Sequence, residues 1–432
     1  MDVTTEILRG LLAEAGVDPV VAEAVLPGEP LLRQGVDSLD YPAFSLAVEA
    51  RFGLSIDERA SMSLRTLDDF AAYIRSRGAA RMSKEEAIAL LKQAPKEIEP
   101  DQKYEVDRLR PGDGKGVAQL FHAVYGDSYP MVDYYIPEAI ERLNAEGKVL
   151  TVVARLASGA VAGQGAYYQS SPPNKALFEF GQLLVAPEYR NTTVAARITR
   201  EMDRLSRTMP QAQGFFGEAV CTHFVTQKLI KKHSYAECGL EISLMPAGAY
   251  AKEGAGAQRV SCLLGARVDR DRHADLYLPE CYRNELELIL GGFSLDRELR
   301  FNRSDAPGVS ASELESETFD FAGVERVQAL VVGADFPERI LQLDQEARRR
   351  GLAVVQVYVN AGTPGTAFAV EALRARGFVL GGLIPLWFGS DGLLMQKFYQ
   401  EPEWETVNLF TDKAKALLGS IRAEWERARA LA

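Results

Sequence analysis

The sequence predicts a multidomain fold: a small all-α, four-helix domain over residues 1–80, a linker over 81–102, and two α/β mixed-sheet domains in tandem over 103–268 and 269–432. Three observations lead there. At 432 residues the chain exceeds what one ordinary hydrophobic core organises. Its acidity is lopsided: residues 1–80 hold thirteen Asp/Glu against seven Arg and no Lys, a balance of −6 within a chain total of −11. From Tyr104 onward, apolar strands alternate with amphipathic helices, the pattern of an α/β layer protein.

Within 1–80, Ile7, Leu8, Leu11 and Leu12 recur at three- and four-residue spacing and mark the buried face of a first helix. The Gly16–Pro30 region reads as a long connection punctuated by proline and glycine. A second helix is expected from Ser38 to about Phe52, with Phe44, Leu46, Ala47 and Ala50 inward and Gly53 as its stop. Thr66, with Asp69 three positions on, reads as the N-cap of a last helix through Phe70, Tyr73 and Ile74.

Ser38 stands at a helix start, where serine commonly caps by accepting an amide proton one turn on. The same place suits a serine bearing a phosphodiester, because a helix N-terminus stabilises an anion. The segment Leu31-Leu32-Arg33-Gln34-Gly35-Val36-Asp37-Ser38-Leu39-Asp40 resembles the attachment motif of acyl carrier proteins. The length, helix order and acidity of the domain resemble theirs as well. The resemblance implies 4'-phosphopantetheine bound covalently to Ser38, and a phosphopantetheinyl transferase as the partner that attaches it. One departure is visible. Carrier proteins present an aliphatic and an acidic residue one turn into the second helix, where this chain has Pro42 and Ala43. That suggests a dedicated partner, with the covalently attached domain the obvious candidate.

In the linker, Ser83 and Glu86 form a capping box for a short helix to Leu91, and Pro95 and Pro100 break the chain beyond it. The segment is expected to be a semi-rigid tether. The next domain should run strand (104–109), two helices (115–125, 137–145), and three strands (150–156, 160–169, 177–185). A helix (192–207), a strand (214–219), a helix (222–233) and strands near 239–244 and 259–268 complete it.

Gln182-Leu183-Leu184-Val185-Ala186-Pro187-Glu188-Tyr189-Arg190-Asn191-Thr192-Thr193-Val194-Ala195 resembles the central motif of the GNAT acyltransferase superfamily. There a strand ends in Val-x-Pro-x-x-Arg, and a glycine-containing loop wraps the pyrophosphate of coenzyme A with backbone amides at a helix N-terminus. The resemblance implies cofactor contacts from Val185, Arg190, Thr193, Val194 and Ala195. Thr193, however, stands where the family has its first glycine, and a β-branched residue suits close approach to phosphate poorly. Either acyl-coenzyme A binds here more weakly, or the donor presents no pyrophosphate, as an arm on Ser38 would not.

Transfer to an amine needs a base for the attacking nitrogen, and an acid or dipole for the leaving thiolate. Glu179 lies six residues before Val185 on the same strand, where several GNAT enzymes place their base, and its neighbours Phe178 and Phe180 would desolvate it. The alternative is a solvent-facing residue between buried phenylalanines. The family's tyrosine acid falls at Ile230, which cannot donate; His223 is a possible substitute, or else a histidine that caps a helix. The family also polarises the thioester with backbone amides where two strands splay apart.

After 269, a helix (279–290), a serine-rich polar loop (303–315), a strand (324–332), a helix (337–350), a strand (353–359), a helix to Arg376 and a last helix after Asp412 are expected. Val357-Tyr358-Val359-Asn360 with Gly377-Phe378 again resembles the last third of a GNAT domain. Tyr235-Ala236-Glu237-Cys238-Gly239-Leu240 is echoed by Phe378-Val379-Leu380-Gly381-Gly382-Leu383, which suggests duplication. Gly333-Ala334-Asp335-Phe336-Pro337 shows no phosphate-loop pattern, so the second copy is expected to be degenerate and non-catalytic.

The balance of −11 argues against nucleic acid. Cys221, Cys238, Cys262 and Cys281 show no C-x-x-C spacing, and with the four histidines they make no zinc pattern; reduced thiols and no metal are expected. An acidic, soon polar N-terminus is unlike a signal peptide, and no apolar run suits a membrane helix, so a cytoplasmic protein is expected. Together these readings predict an acyltransferase moving an acyl or aminoacyl group from Ser38-bound phosphopantetheine to an acceptor, most naturally a small-molecule amine, in natural-product biosynthesis alongside acyl-loading or pathway enzymes. The rivals are loading of the arm from acyl-coenzyme A, as in polyketide initiation, and a non-catalytic scaffold presenting the carrier.

Overall fold

The computed structural model describes residues 3–37, 40–52, 54, 56, 61, 64–79, 82–93, 98–246, 259–303 and 307–430. Ser38 and Gly53 lie outside them. The chain divides into two compact units, one of Met1–Lys96, Arg110–His122 and Met131–Glu146, the other of Glu97–Leu109, Ala123–Pro130 and Gly147–Ala432.

The first unit is helical. Helix α1 (Thr5–Glu14) is capped by Thr4 and buries Leu8, Leu11 and Leu12. Within the expected connection lies a short helix, α2 (Pro19–Ala24), started by the Asp18 side chain, which accepts from Val20 N–H at 2.8 Å, and by Pro19, whose missing donor is harmless there. Helix α3 (Asp40–Phe52) buries Phe44, Val48 and Phe52, one stripe at four-residue spacing. Two expected core residues are corrected: Leu46 is 63% exposed and Ala50 is exposed, because both stand off that stripe. Helix α4 (Leu67–Ala79) opens with the reciprocal cap the sequence suggested: Asp69 N–H donates to Thr66 Oγ1 at 3.0 Å and Thr66 N–H to Asp69 Oδ2 at 2.9 Å. Phe44 and Phe70 pack at 4.7 Å between centroids in the middle of this core.

Helix α5 (Lys84–Gln93) has the Ser83–Glu86 capping box and buries Ala87, Ile88 and Leu91. It packs on the turn Val132–Tyr135 of the same unit, with the Lys84 ammonium 5.7 Å from the Tyr135 ring. Helix α6 (Gly114–Tyr125) begins in this unit, where α7 (Pro137–Ala145) packs against α4. A side chain at Gly114 would place Cβ 2.4 Å from the Pro137 carbonyl, so only glycine fits.

The second unit is built on one twelve-stranded sheet. Its strands are β1 (Tyr104–Arg108), β2 (Val149–Leu156), β3 (Val161–Tyr168), β4 (Leu177–Val185), β5 (Gly214–Val220), β6 (Ala236–Pro246), β7 (Arg259–Val268), β10 (Glu313–Phe319), β11 (Val324–Val331), β12 (Val354–Asn360), β13 (Val379–Ile384) and β14 (Gly392–Phe398). They lie in the order β1-β2-β3-β4-β5-β7-β6-β13-β14-β12-β11-β10, a mixed α/β sheet as expected. The two parallel pairs, β4–β5 and β11–β12, sit in matching places of the two halves. Each is bridged by a long helix, α8 (Val194–Ser206) and α11 (Phe336–Arg350) respectively, and a shorter helix follows each, α9 (Val225–Lys232) and α12 (Thr366–Arg374).

The halves meet where the sequence echo lies. Gly239 of β6 pairs with Gly382 of β13, and each strand has a register shift at the equivalent position, Glu237/Gly239 in one and Leu380/Gly382 in the other. A Cβ on Gly382 would stand 2.3 Å from the Cys238 carbonyl oxygen, so both chains need glycine to approach. A separate parallel pair, β8 (Ala274–Pro279) and β9 (Arg297–Asn302), flanks α10 (Arg283–Leu290), and α13 (Asp412–Ala430) ends the described chain. Strands β8, β9, β13 and β14 were not among the expected elements, and β10 begins inside the expected polar loop.

Candidate active site

Strands β4 and β5 pair from Leu177↔Gly214 to Phe180↔Gly217 and then separate, although β4 continues to Val185 and β5 to Val220. The cause is a bulge. Gln182 has φ 54°, an uncommon backbone state for a residue with a side chain, and the β3–β4 register slips between Gln164 and Ala166. Gln164 Nε2 donates to the Gln182 carbonyl at 3.1 Å and holds the bulge. Glycines flank the parting on both strands: Cβ on Gly181 would fall 2.5 Å from the Tyr168 hydroxyl, and Cβ on Gly217 3.0 Å from the Phe180 carbonyl.

Glu179 is in register with Phe216, and Glu218 stands two residues beyond Phe216, so both carboxylates share one face of the sheet. Through the β5–β7 and β6–β7 registers, Glu241 of β6 shares that face too. Arg326 of β11 reaches over from the second half. Its Nη2 donates to Glu241 Oε1 at 2.9 Å and lies 3.7 Å from Glu218 Oε1, its Nε donates to Gln356 Oε1 at 2.8 Å, and its Nη1 donates to Ser171 Oγ at 3.0 Å. Gln356 Nε2 (2.7 Å) and the Tyr358 hydroxyl (3.2 Å) also donate to Glu241 Oε1. Trp387 closes the back, stacked on Tyr358 at 3.9 Å, edge-on to Phe216, and donating to Gln328 at 2.7 Å.

Three carboxylates facing one guanidinium cannot all stay ionised at ordinary cost. Burial raises the Glu179 carboxyl; Ser170, Tyr168 and Arg326 draw it back, while Glu241 adds to the rise. The Tyr168 hydroxyl donates to Glu179 Oε1 at 2.5 Å, and burial together with Glu179 keeps that phenol protonated. Burial pushes Glu218 well above the usual carboxylate range, reinforced by Glu241 and Glu179 and only partly opposed by Arg326. Burial also works against the Arg326 charge, but Tyr358, Glu241, Glu218 and Glu179 more than offset it, and the guanidinium stays charged.

The expected cofactor residues gather at one strand–turn–helix corner. Val185 ends β4, Arg190 is exposed, and Thr193, Val194 and Ala195 start α8. The corner is occupied by its own hydroxyls: Thr192 Oγ1 accepts from Val194 N–H at 3.3 Å, and Thr193 Oγ1 bonds the Tyr104 hydroxyl at 2.8 Å. His223 Nδ1 accepts from Val225 N–H at 3.3 Å, which is the helix-capping arrangement at the start of α9. In the second half, the start of α11 is filled by protein. Ser312 Oγ donates to Asp335 Oδ1 at 2.7 Å and accepts from Gly333 N–H at 2.9 Å.

Tyr168, Glu218, Glu241 and Arg326 were not singled out from the sequence. A signal existed: Glu218 in Gly-Phe-Phe-Gly-Glu-Ala-Val and Glu241 in Gly-Leu-Glu-Ile-Ser interrupt apolar strands, and a charge inside such a run requires a partner. The four cysteines are free thiols, and all but Cys281 are buried. Among the described residues, His273, Asp275 and Glu298 form a group of metal-ligating type, but Arg300 already bonds Glu298 at 3.0 Å and Asp275 at 3.3 Å. No helix among the described residues is long and apolar enough to cross a membrane.

Residues 6–74 match the sequence family described as the phosphopantetheine attachment site. No curated protein matches the chain's sequence. Solved structures similar to it include an N-acetyltransferase from Staphylococcus aureus Mu50 (12% identity, 39% of this chain and 99% of that one, TM-score 0.32). A GNAT-family acetyltransferase from Streptococcus pneumoniae (11%, 38% and 99%, TM-score 0.33) is another. The ribosomal-protein-S5-alanine acetyltransferase from Vibrio fischeri (12%, 39% and 95%, TM-score 0.31) is a third. Residues 6–74 therefore form a phosphopantetheine-attachment domain, in a chain whose larger part is built on a mixed α/β sheet.

Proposed function

We propose that this protein is a GNAT-type acyltransferase that takes an acyl or aminoacyl group from phosphopantetheine on Ser38 of its own carrier domain and passes it to a small-molecule amine. The observation that supports it is the parting of β4 and β5 with Glu179 beside it, in a chain whose residues 6–74 match the phosphopantetheine family. When attached, the arm supplies a thioester with a good leaving group. Glu179, raised by burial and held by Tyr168, takes a proton from the attacking amine. Backbone amides at the parting orient and polarise the carbonyl. A tethered donor would also be concentrated at the site without new contacts.

The corner at Thr193 favours this donor over coenzyme A. The first amide of α8 is engaged by Thr192, and the Thr193 side chain, bonded to Tyr104, stands where a glycine would leave room for a pyrophosphate. The reading places the protein in small-molecule biosynthesis beside enzymes that load the arm. Intact-mass measurement separates it from its rival. Preloaded holo protein should lose its acyl mass on adding amine, and holo protein with acetyl-coenzyme A alone should gain none. The reverse pair of results would establish loading instead.

A further inference from the structure

The transfer reading leaves the acid for the departing thiolate unassigned, since the expected tyrosine position holds the buried Ile230. Building on that reading, we propose that Glu218 is this acid, donating its proton to the leaving sulfur, and that Glu241 and Arg326 are the positioning residues that hold it for the task. Glu218 is the first residue of β5 beyond the last β4–β5 pair, so it borders the gap. Its side chain is 22% exposed, whereas those of Arg326 and Glu241 are 7% and 0% exposed; it is the end of the network that faces open space.

The hydrogen bonds around Glu241 place the proton. Glu241 Oε1 accepts from Arg326, Gln356 and Tyr358, while Glu241 Oε2 is buried with no donor among the described residues. Leaving a buried acceptor so is unfavourable. A protonated Glu218, whose side chain pairs with Glu241, supplies the missing donor. Arg326 is 2.9 Å from Glu241 and 3.7 Å from Glu218, so Glu218 is the less closely compensated of the two and is the one that keeps a proton. The other groups facing Glu218 are Glu179 of β4, Tyr168 of β3, Cys262 of β7 and Tyr358 of β12; the last three are neutral, with their acidic protons held by burial, and Glu179 adds to the pressure for Glu218 to keep its own. In the transfer, the amine nitrogen bonds to the thioester carbon as the carbon–sulfur bond breaks. The nitrogen's proton goes to Glu179 and the Glu218 proton to sulfur, leaving an amide, a thiol, a protonated Glu179 and an ionised Glu218. Exchange with water restores both.

Two measurements test this. The first is the infrared carboxylic-acid stretch of the unloaded protein at neutral pH, which should be present in wild type, retained in Glu179→Gln and lost in Glu218→Gln. The second is single-turnover transfer from the preloaded arm to an amine across pH. Glu218→Gln should slow it about 10²–10⁴-fold and abolish the fall in rate at high pH. Glu241→Gln should move that fall to lower pH, because removing the neighbouring negative charge makes Glu218 a stronger acid. Absence of the infrared band, or an unchanged high-pH limb in Glu218→Gln while wild type turns over, overturns the acid role alone. Wild type that makes no amide overturns the transfer reading, and the acid role with it.

Discussion

Glu179 and Glu218 differ in how much of each was visible in the chain. Glu179 was legible because a motif six residues away fixes its strand and end. Glu218, Glu241 and Arg326 were not, since their meeting depends on strands from two halves coming together. For His223 the sequence left catalysis and helix capping open, and its Nδ1 accepts from Val225 N–H at the start of α9. If Glu179 is the base, Glu179→Gln should lower kcat about 10²–10⁴-fold with little change in KM for the amine. In wild type, the rate should rise with pH through a value above the ordinary carboxylate range, since the base must be ionised. Steady-state kinetics across pH would read this; a wild-type low-pH limb persisting in the variant would count against it. Stability has its own sign. Folding raises the Glu218 pKa, so its contribution is full below the ordinary carboxylate range and is lost as pH rises through the folded value. Glu218→Gln should therefore flatten the fall of Tm with rising pH, and an unaltered slope would contradict it.

Helices with end signals were the most legible elements. The Thr66–Asp69 and Ser83–Glu86 boxes were readable because each is a local exchange of side-chain and backbone bonds, independent of tertiary context. Thr66→Ala should destabilise the first unit by about 1 kcal/mol in chemical denaturation, and Thr66→Ser should restore most of it. No loss in Thr66→Ala would show that the cap is incidental. Facing residues were harder to judge. Leu46 and Ala50 look inward by composition, yet the Phe44–Val48–Phe52 stripe turns them to solvent. Strand β9, Arg297–Asn302, was missed because its charged sequence is stabilised as a strand by pairing with β8 and by Arg297 binding buried Asp391 at 2.9 Å, neither of which is local. The parting of β4 and β5 was expected in kind from the family resemblance, but its cause, the bulge at Gln182, arises from no local propensity.

Over the whole molecule, the echo between Tyr235–Leu240 and Phe378–Leu383 proved more informative than its length suggested. Those segments hold the glycines at which the two halves of the sheet touch, with a shared register shift. The second half lines the site. It contributes Arg326, Gln356, Tyr358 and Trp387 to the walls around Glu218 and Glu241, while the start of its own α11 is filled by Ser312 and Asp335. All of this acquires its proposed purpose from one covalent event at Ser38, which lies outside the described residues. The decisive measurement is the intact mass of the protein co-expressed with a phosphopantetheinyl transferase. The account predicts one added phosphopantetheine in wild type and none in Ser38→Ala. No gain in wild type, or a gain that survives in Ser38→Ala, would contradict it.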